Sequence, residues 1–136
     1  MGQGDGTGGT ILDAALRRYL DAMHEVVKGN AGPMKALYSH RDDVTMCGAW
    51  GGHERGWEQV AARWDWAAAR CAAGPPGGVT HEVVALTEAA DMAYAIIIER
   101  RVLPAVSELR MTQVFRREDG EWKPVHRHAD TLVIKQ

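Results

Sequence analysis

The chain has 136 residues, 46% of them hydrophobic and 25% charged; this fits one globular domain with a real core and excludes disorder and a membrane span. Sixteen Lys and Arg stand against 18 Asp and Glu, a formal net charge of −2, which argues against a nucleic-acid partner. Cys47 and Cys71 lie far apart without a Cys-x-x-Cys spacing. Neither a zinc site nor a disulfide framework is suggested, and a reducing cytoplasm is the default compartment.

Residues 1–9 are Gly-rich, with neither a basic segment nor an apolar run, so they read as a disordered tail ahead of a single domain over residues 10–136. From Thr10, the apolar residues Ile11, Leu12, Ala15, Leu16, Tyr19, Leu20, Met23, Val26 and Val27 recur with a period near 3.6. That is an amphipathic helix, opened by a Thr10/Asp13 capping box and closed by Gly29-Asn30. Pro33 opens a short second helix through Met34, Leu37 and Tyr38, which Asp42-Asp43 ends as a turn. Val44 to Cys47 reads as a brief strand.

Gly48-Ala49-Trp50-Gly51-Gly52 is a Gly-rich loop without the spacing of a phosphate cradle. Gly56 then precedes a helix whose Trp57, Val60, Ala61, Trp64, Ala67, Ala68 and Cys71 share a face, and Gly74-Pro75-Pro76-Gly77-Gly78 ends it. Strands follow over Val79–Thr87, Met92–Leu103, Glu108–Arg117 and Trp122–Ile134, with turns at Ala89–Asp91, Pro104–Ser107 and Asp119-Gly120. Helices followed by an antiparallel meander imply an α+β architecture, a curved antiparallel sheet wrapped around N-terminal helices with a cavity between the layers.

The chain resembles the SnoaL-like proteins of the nuclear-transport-factor-two-like, or ketosteroid-isomerase-like, superfamily. The residues that carry the resemblance are Gly29-Asn30, Leu37-Tyr38, Asp42-Asp43-Val44-Thr45, Gly51-Gly52 with Gly56-Trp57-Glu58, the stretch from Ala93 to Glu99, and Arg116–Trp122 running into His126–Asp130. The resemblance implies a cone-shaped, cystatin-like barrel with a deep pocket; it leaves the activity open, because one fold hosts many chemistries. The isomerase mechanism does not carry over. Its general base aligns with Cys47 or Gly48, its neutral aspartate with Thr112, and its tyrosine with a position near Ala22, one helical turn from Tyr19.

Hairpin arithmetic selects pocket residues. With Asp119-Gly120 as a two-residue turn, Thr112 lies opposite Arg127 and Arg110 opposite Ala129; a preceding turn centred on Pro104 and Ala105 sets Glu99 across from Arg110. Glu99, Arg110, Thr112 and Arg127 are therefore expected around the pocket, with Ala93, Ala95, Ile97, Val114 and Val125 against the helices. Met111, Gln113 and Phe115 then fall on the convex face, where a second copy of the chain would cover them. Glu99 reads either as a pocket carboxylate tuned by Arg110 and Arg127 for acid–base work or as a structural ion pair. The arginines read as an anion clamp or as its neutralising partners.

His126, His128 and Asp130 alternate onto the convex face, as an interface patch or a weak metal motif, unless a bulge turns His128 or Asp130 inward as catalytic candidates. Tyr19, Trp50 and Trp64 are candidate ligand walls, or plain core. Trp66 is expected near the surface, and His24, His40, His53 and His81 are expected to be solvated. The chain thus reads as a homodimeric pocket protein without a cofactor or bound metal. Its partner is a small apolar or weakly anionic molecule, met either by an enzyme of isomerase, cyclase or hydratase type or by a non-catalytic binding module.

Overall fold

The computed structural model describes residues 10–74, 77–102, 106–133 and 135–136. The expected tail over residues 1–9 and the tip of the turn at Pro104 lie outside the described residues. The elements run α1 (Ile11–Val27), α2 (Gly32–Leu37), β1 (Thr45–Cys47), β2 (Glu54–Arg55), α3 (Trp57–Ala73), β3 (Gly78–Glu88), β4 (Met92–Val102), β5 (Val106–Glu118) and β6 (Glu121–Thr131). The capping box forms: Asp13 N donates to the Thr10 hydroxyl at 2.9 Å, and Thr10 N donates to the Asp13 carboxylate at 3.4 Å. Gly29 ends α1 for two reasons. Its φ of +100° suits glycine, and a Cβ there would stand 2.8 Å from the Ala72 Cβ of α3.

One sheet of six strands, ordered β2-β1-β6-β5-β4-β3, curves around the helices. The meander is antiparallel from β3 to β6, but β1 pairs parallel with β6 and antiparallel with β2, a two-residue strand that the sequence reading did not contain. The helices bury their apolar faces against the concave side: Leu12, Leu16, Tyr19, Met23 and Val26 of α1 and Val60, Trp64 and Ala68 of α3 join Ala93, Ala95, Ile97 and Phe115 in one core. Among the described residues no helix is long and apolar enough to cross a membrane.

Two offsets of one residue correct the expected registers. Val102 pairs with Val106, so Glu99 lies opposite Leu109, and Arg110 lies opposite Ile98. Every β5 side chain is thereby on the other face from the one expected. Leu109, Met111, Gln113 and Phe115 face inward and are buried, while Arg110, Thr112 and Val114 face outward. Between β5 and β6 the register then shifts again: Phe115 pairs with Pro124 and Val114 with His126, leaving Val125 as a bulge. Pro124 has no N–H to give the ladder, which is why a bulge falls there. The second offset undoes the first, and Val125, Arg127 and Ala129 return to the concave side.

Candidate functional site

Glu99 is completely buried on the concave face of β4. His81, directly opposite on β3, donates through Nε2 to Oε1 at 2.9 Å. Arg101, two residues along and so on the same face, donates through Nε to Oε2 at 2.7 Å. Arg127 of β6 brings Nη2 to 3.9 Å from the same oxygen. Burial alone would raise the pKa of this carboxyl. The His81 hydrogen bond and the charges of Arg127 and Arg101 outweigh it and hold the carboxyl at about 2.

Arg127 is itself buried. Its Nη1 donates to the Tyr19 hydroxyl at 2.9 Å and lies against the Met111 sulfur. Burial pulls its pKa down, but Tyr19 and Glu99 outweigh that and leave it raised, so the guanidinium keeps its charge. Burial pushes the Tyr19 phenol up, against the lowering effect of Arg127.

Beside this cluster lies a cavity of about 260 Å³. Arg63, Arg101 and Arg127 line it together with Trp50, Trp64 and the apolar side chains of Val26, Met46, Ala67 and Leu109. Among the described residues its wall holds no carboxylate and no imidazole; Glu99 sits behind the two inner arginines. The Arg127 guanidinium carbon is 5.7 Å from the Trp64 ring centre, and that of Arg101 is 5.1 Å from Trp50. Trp50 is carried on the Gly-rich loop, whose Gly51 and Gly52 have φ of +97° and +73°. Arg63 fixes that loop by donating Nη2 to the Gly51 carbonyl at 3.2 Å. The Trp66 ring meets Trp50 edge to face at 5.4 Å.

Of the residues singled out in the sequence, the structure thus brings together Glu99, Arg127, Tyr19, Trp50 and Trp64. Tyr19 supports Arg127 and is not part of the cavity wall. Arg110 and Thr112 lie on the convex face with His128 and Asp130, around a shallow depression. There His128 and Asp130 form an exposed pair at 3.4 Å, and His126 shares a hydrogen bond with the Thr45 hydroxyl at 2.7 Å. The bulge does not turn His128 or Asp130 into the pocket, because it compensates the earlier offset. Trp66 is 39% exposed, as its position on α3 requires.

Two residues of the cluster escaped the sequence reading. His81, expected in solvent, has a side chain only 4% exposed, and His24 packs its ring against it at 5.7 Å. Arg101 went unnamed. Both carried a signal: a period of two places Arg101 on the face of Glu99, and a plain ladder from the Ala89–Asp91 turn gives a His81–Glu99 pair, which the structure reaches from a Glu88–Ala93 start through a register shift at Val84. His40 is exposed, as expected, and stacks on Trp57 at 4.0 Å while reaching the Lys35 carbonyl at 2.7 Å.

A cone of sheet and helices around a cation-walled, tryptophan-lined cavity defines a pocket protein of α+β type. The chain belongs to the SnoaL-like domain family, which matches residues 12–133. Solved structures share the fold at low identity. One from Thiobacillus denitrificans, provisionally described as a calcium/calmodulin-dependent protein kinase type II association domain, is 24% identical, with 89% of this chain and 94% of that one covered and a TM-score of 0.73. A provisionally described dehydratase from Streptomyces avermitilis is 16% identical, over 90% and 94% of the two chains, at 0.72. A provisionally described ketosteroid isomerase from Parabacteroides distasonis is 17% identical, over 94% and 93%, at 0.71. No curated protein matches the chain.

Proposed function

We propose that this protein is a binding member of its family, whose cavity takes a small organic anion with a flat or apolar body. The observation that carries this reading is the composition of the wall: three arginines, two tryptophans, the hydroxyl side chains Ser107 and Thr131, and apolar side chains, with no carboxylate or imidazole among the described lining residues. Guanidinium groups suit a carboxylate, and aromatic walls suit a planar body. Proton-transfer chemistry is the weaker reading. Glu99 has both oxygens occupied by donors and a pKa of about 2, whereas an effective general base titrates near the working pH.

The test uses 3-phenylpropanoate and its uncharged amide, followed by quenching of tryptophan fluorescence. The acid is expected to bind tighter than the amide by about tenfold or more, the worth of a charge-assisted hydrogen bond. Equal affinities, or no binding of either, would sink the reading.

The reading includes a homodimer in a reducing, cytoplasmic compartment, which suits two unpaired cysteines. Its interface is no longer Met111, Gln113 and Phe115, which are core; it is the convex patch of Tyr94, Ile96, Ile98 and Val114, all partly exposed. Sedimentation should give twice the chain mass, and Ile96→Asp should give the monomer.

A further inference from the structure

We propose that Glu99 sets the charge of the ligand: it answers one of the two inner guanidinium groups and so leaves a cavity fitted to a monoanion, against dianions and neutral molecules of the same shape. This rests on the organic-anion reading above and adds the ligand's charge state to it.

The geometry supports the assignment residue by residue. Arg101 and Arg127 both line the cavity, and both lean on the single carboxylate of Glu99, at 2.7 and 3.9 Å. The third wall cation, Arg63, has its own counter-charge in Glu54 at 3.8 Å. Arg70 stands off the wall, over the Trp50 and Trp66 rings. A neutral His81 suffices for its hydrogen bond to Glu99. Two inner cations against one inner anion leave one positive charge facing a largely apolar cavity. A single carboxylate completes that balance. A neutral ligand leaves the guanidinium unanswered, and a second carboxylate brings an unpaired negative charge next to Glu99; both are costly away from water.

Three probes of one shape test this: 3-phenylpropanoate, benzylmalonate with two carboxylates on the same body, and 3-phenylpropanamide. Titration calorimetry of the wild-type protein should rank the monoanion about tenfold or more above the other two at neutral pH. In Glu99→Gln, folding being checked by circular dichroism, benzylmalonate should gain about tenfold or more on 3-phenylpropanoate. If that variant does not fold, the wild-type protein decides. Lowering the pH through the second ionisation of benzylmalonate should strengthen its binding, while 3-phenylpropanoate, still ionised, should hold steady. The steady probe also reports any titration of the groups around the cluster, namely His81, His24 behind it, Tyr19, Cys71, Arg101 and Arg127.

Equal binding of monoanion and dianion, an unchanged ratio in folded Glu99→Gln, or benzylmalonate binding indifferent to its second ionisation would each overturn the charge assignment and leave the organic-anion reading standing. Failure of both acids to bind wild-type protein would overturn that reading too.

Discussion

Glu99 and Glu118 are both buried carboxylates held by arginines, yet they stand in opposite relations to open space. Glu118 accepts from the Ser39 hydroxyl at 2.7 Å and from Arg116 Nε at 2.9 Å. The same arginine grips Asp43 with two hydrogen bonds, at 2.8 and 2.9 Å, and the Asp43 side chain is 57% exposed. That cluster straps the Ser39–Asp43 turn to β5 and spends its cation on protein groups and water. Around Glu99, Arg101 and Arg127 also line a cavity. The comparison teaches that two buried carboxylate–arginine clusters differ in what their cations face: protein groups and water at Glu118, a cavity wall at Glu99.

The comparison can be broken most directly by removing the charge of Glu99. Glu99→Gln leaves two buried guanidinium groups under-compensated and is expected to cost about 3–5 kcal/mol, the range for breaking a buried pair. Chemical denaturation would show it, and a loss below ~1 kcal/mol would make this cluster no different from a surface pair.

Acid sharpens the same contrast. The Glu99 pKa falls from 4.5 to about 2 on folding, so its stabilisation is complete above the unfolded value and is lost as pH drops from about 4.5 toward 2. A shift of that size is worth about 3 kcal/mol at neutral pH. Glu118 is also lowered, against its own burial, by Ser39 and Arg116, so it loses stability in the same direction. Wild-type protein should therefore lose stability steeply in that window, and Glu99→Gln should lose less, because its largest contributor is gone. Parallel curves for the two proteins would contradict the assignment.

The strap is expected to matter less. Arg116→Ala removes contacts to Asp43 and Glu118, but Glu118 keeps the Ser39 hydroxyl at 2.7 Å and Arg41 at 3.6 Å, and Asp43 is open to water. About 1 kcal/mol is expected, with affinity for 3-phenylpropanoate unchanged. A fall in affinity would mean that the two clusters are not independent.

What the sequence disclosed follows the same division between local and long-range information. Helix ends were legible because their signals are local: the Thr10 cap, the Gly29 stop, Pro33 and the Gly56 start. The four meander strands were legible from alternation, whereas the two-residue β2 was not. Facing was not, because parity in a meander propagates through every turn, and one residue reverses it. The turn after Val102 displaced all of β5, which is why Arg110 and Thr112 were assigned to the pocket and Met111 and Phe115 to the surface. Arg127 was placed correctly only because the Val125 bulge cancelled that error. Pro124 inside a strand was the available sign of the bulge. Arg101 needed only a period of two from Glu99, whereas the His81–Glu99 pair depends on a register shift at Val84 that offsets the Glu88–Ala93 start of the ladder. The cavity itself, which depends on how the cone closes over Trp50 and Trp64, is not a property of any one segment.

The smallest effect is expected at His128 and Asp130 on the convex face. Both side chains are more than half exposed, at 54% and 61%, with 3.4 Å between His128 Nε2 and Asp130 Oδ2. Such a pair contributes about 0–1 kcal/mol, because water solvates both partners almost as well apart as together. Among the described residues no third histidine, cysteine or carboxylate completes a metal site around them. His128→Ala should therefore shift the denaturation midpoint by no more than about 0.5 kcal/mol, and elemental analysis of wild-type protein should find no stoichiometric zinc, iron or copper. The measurement also probes assembly, since a second copy seated on the convex face would remove that water. A loss above ~1 kcal/mol that grows as the protein is concentrated would place the pair inside the interface; one transition-metal ion per chain, released by the substitution, would instead make it a site.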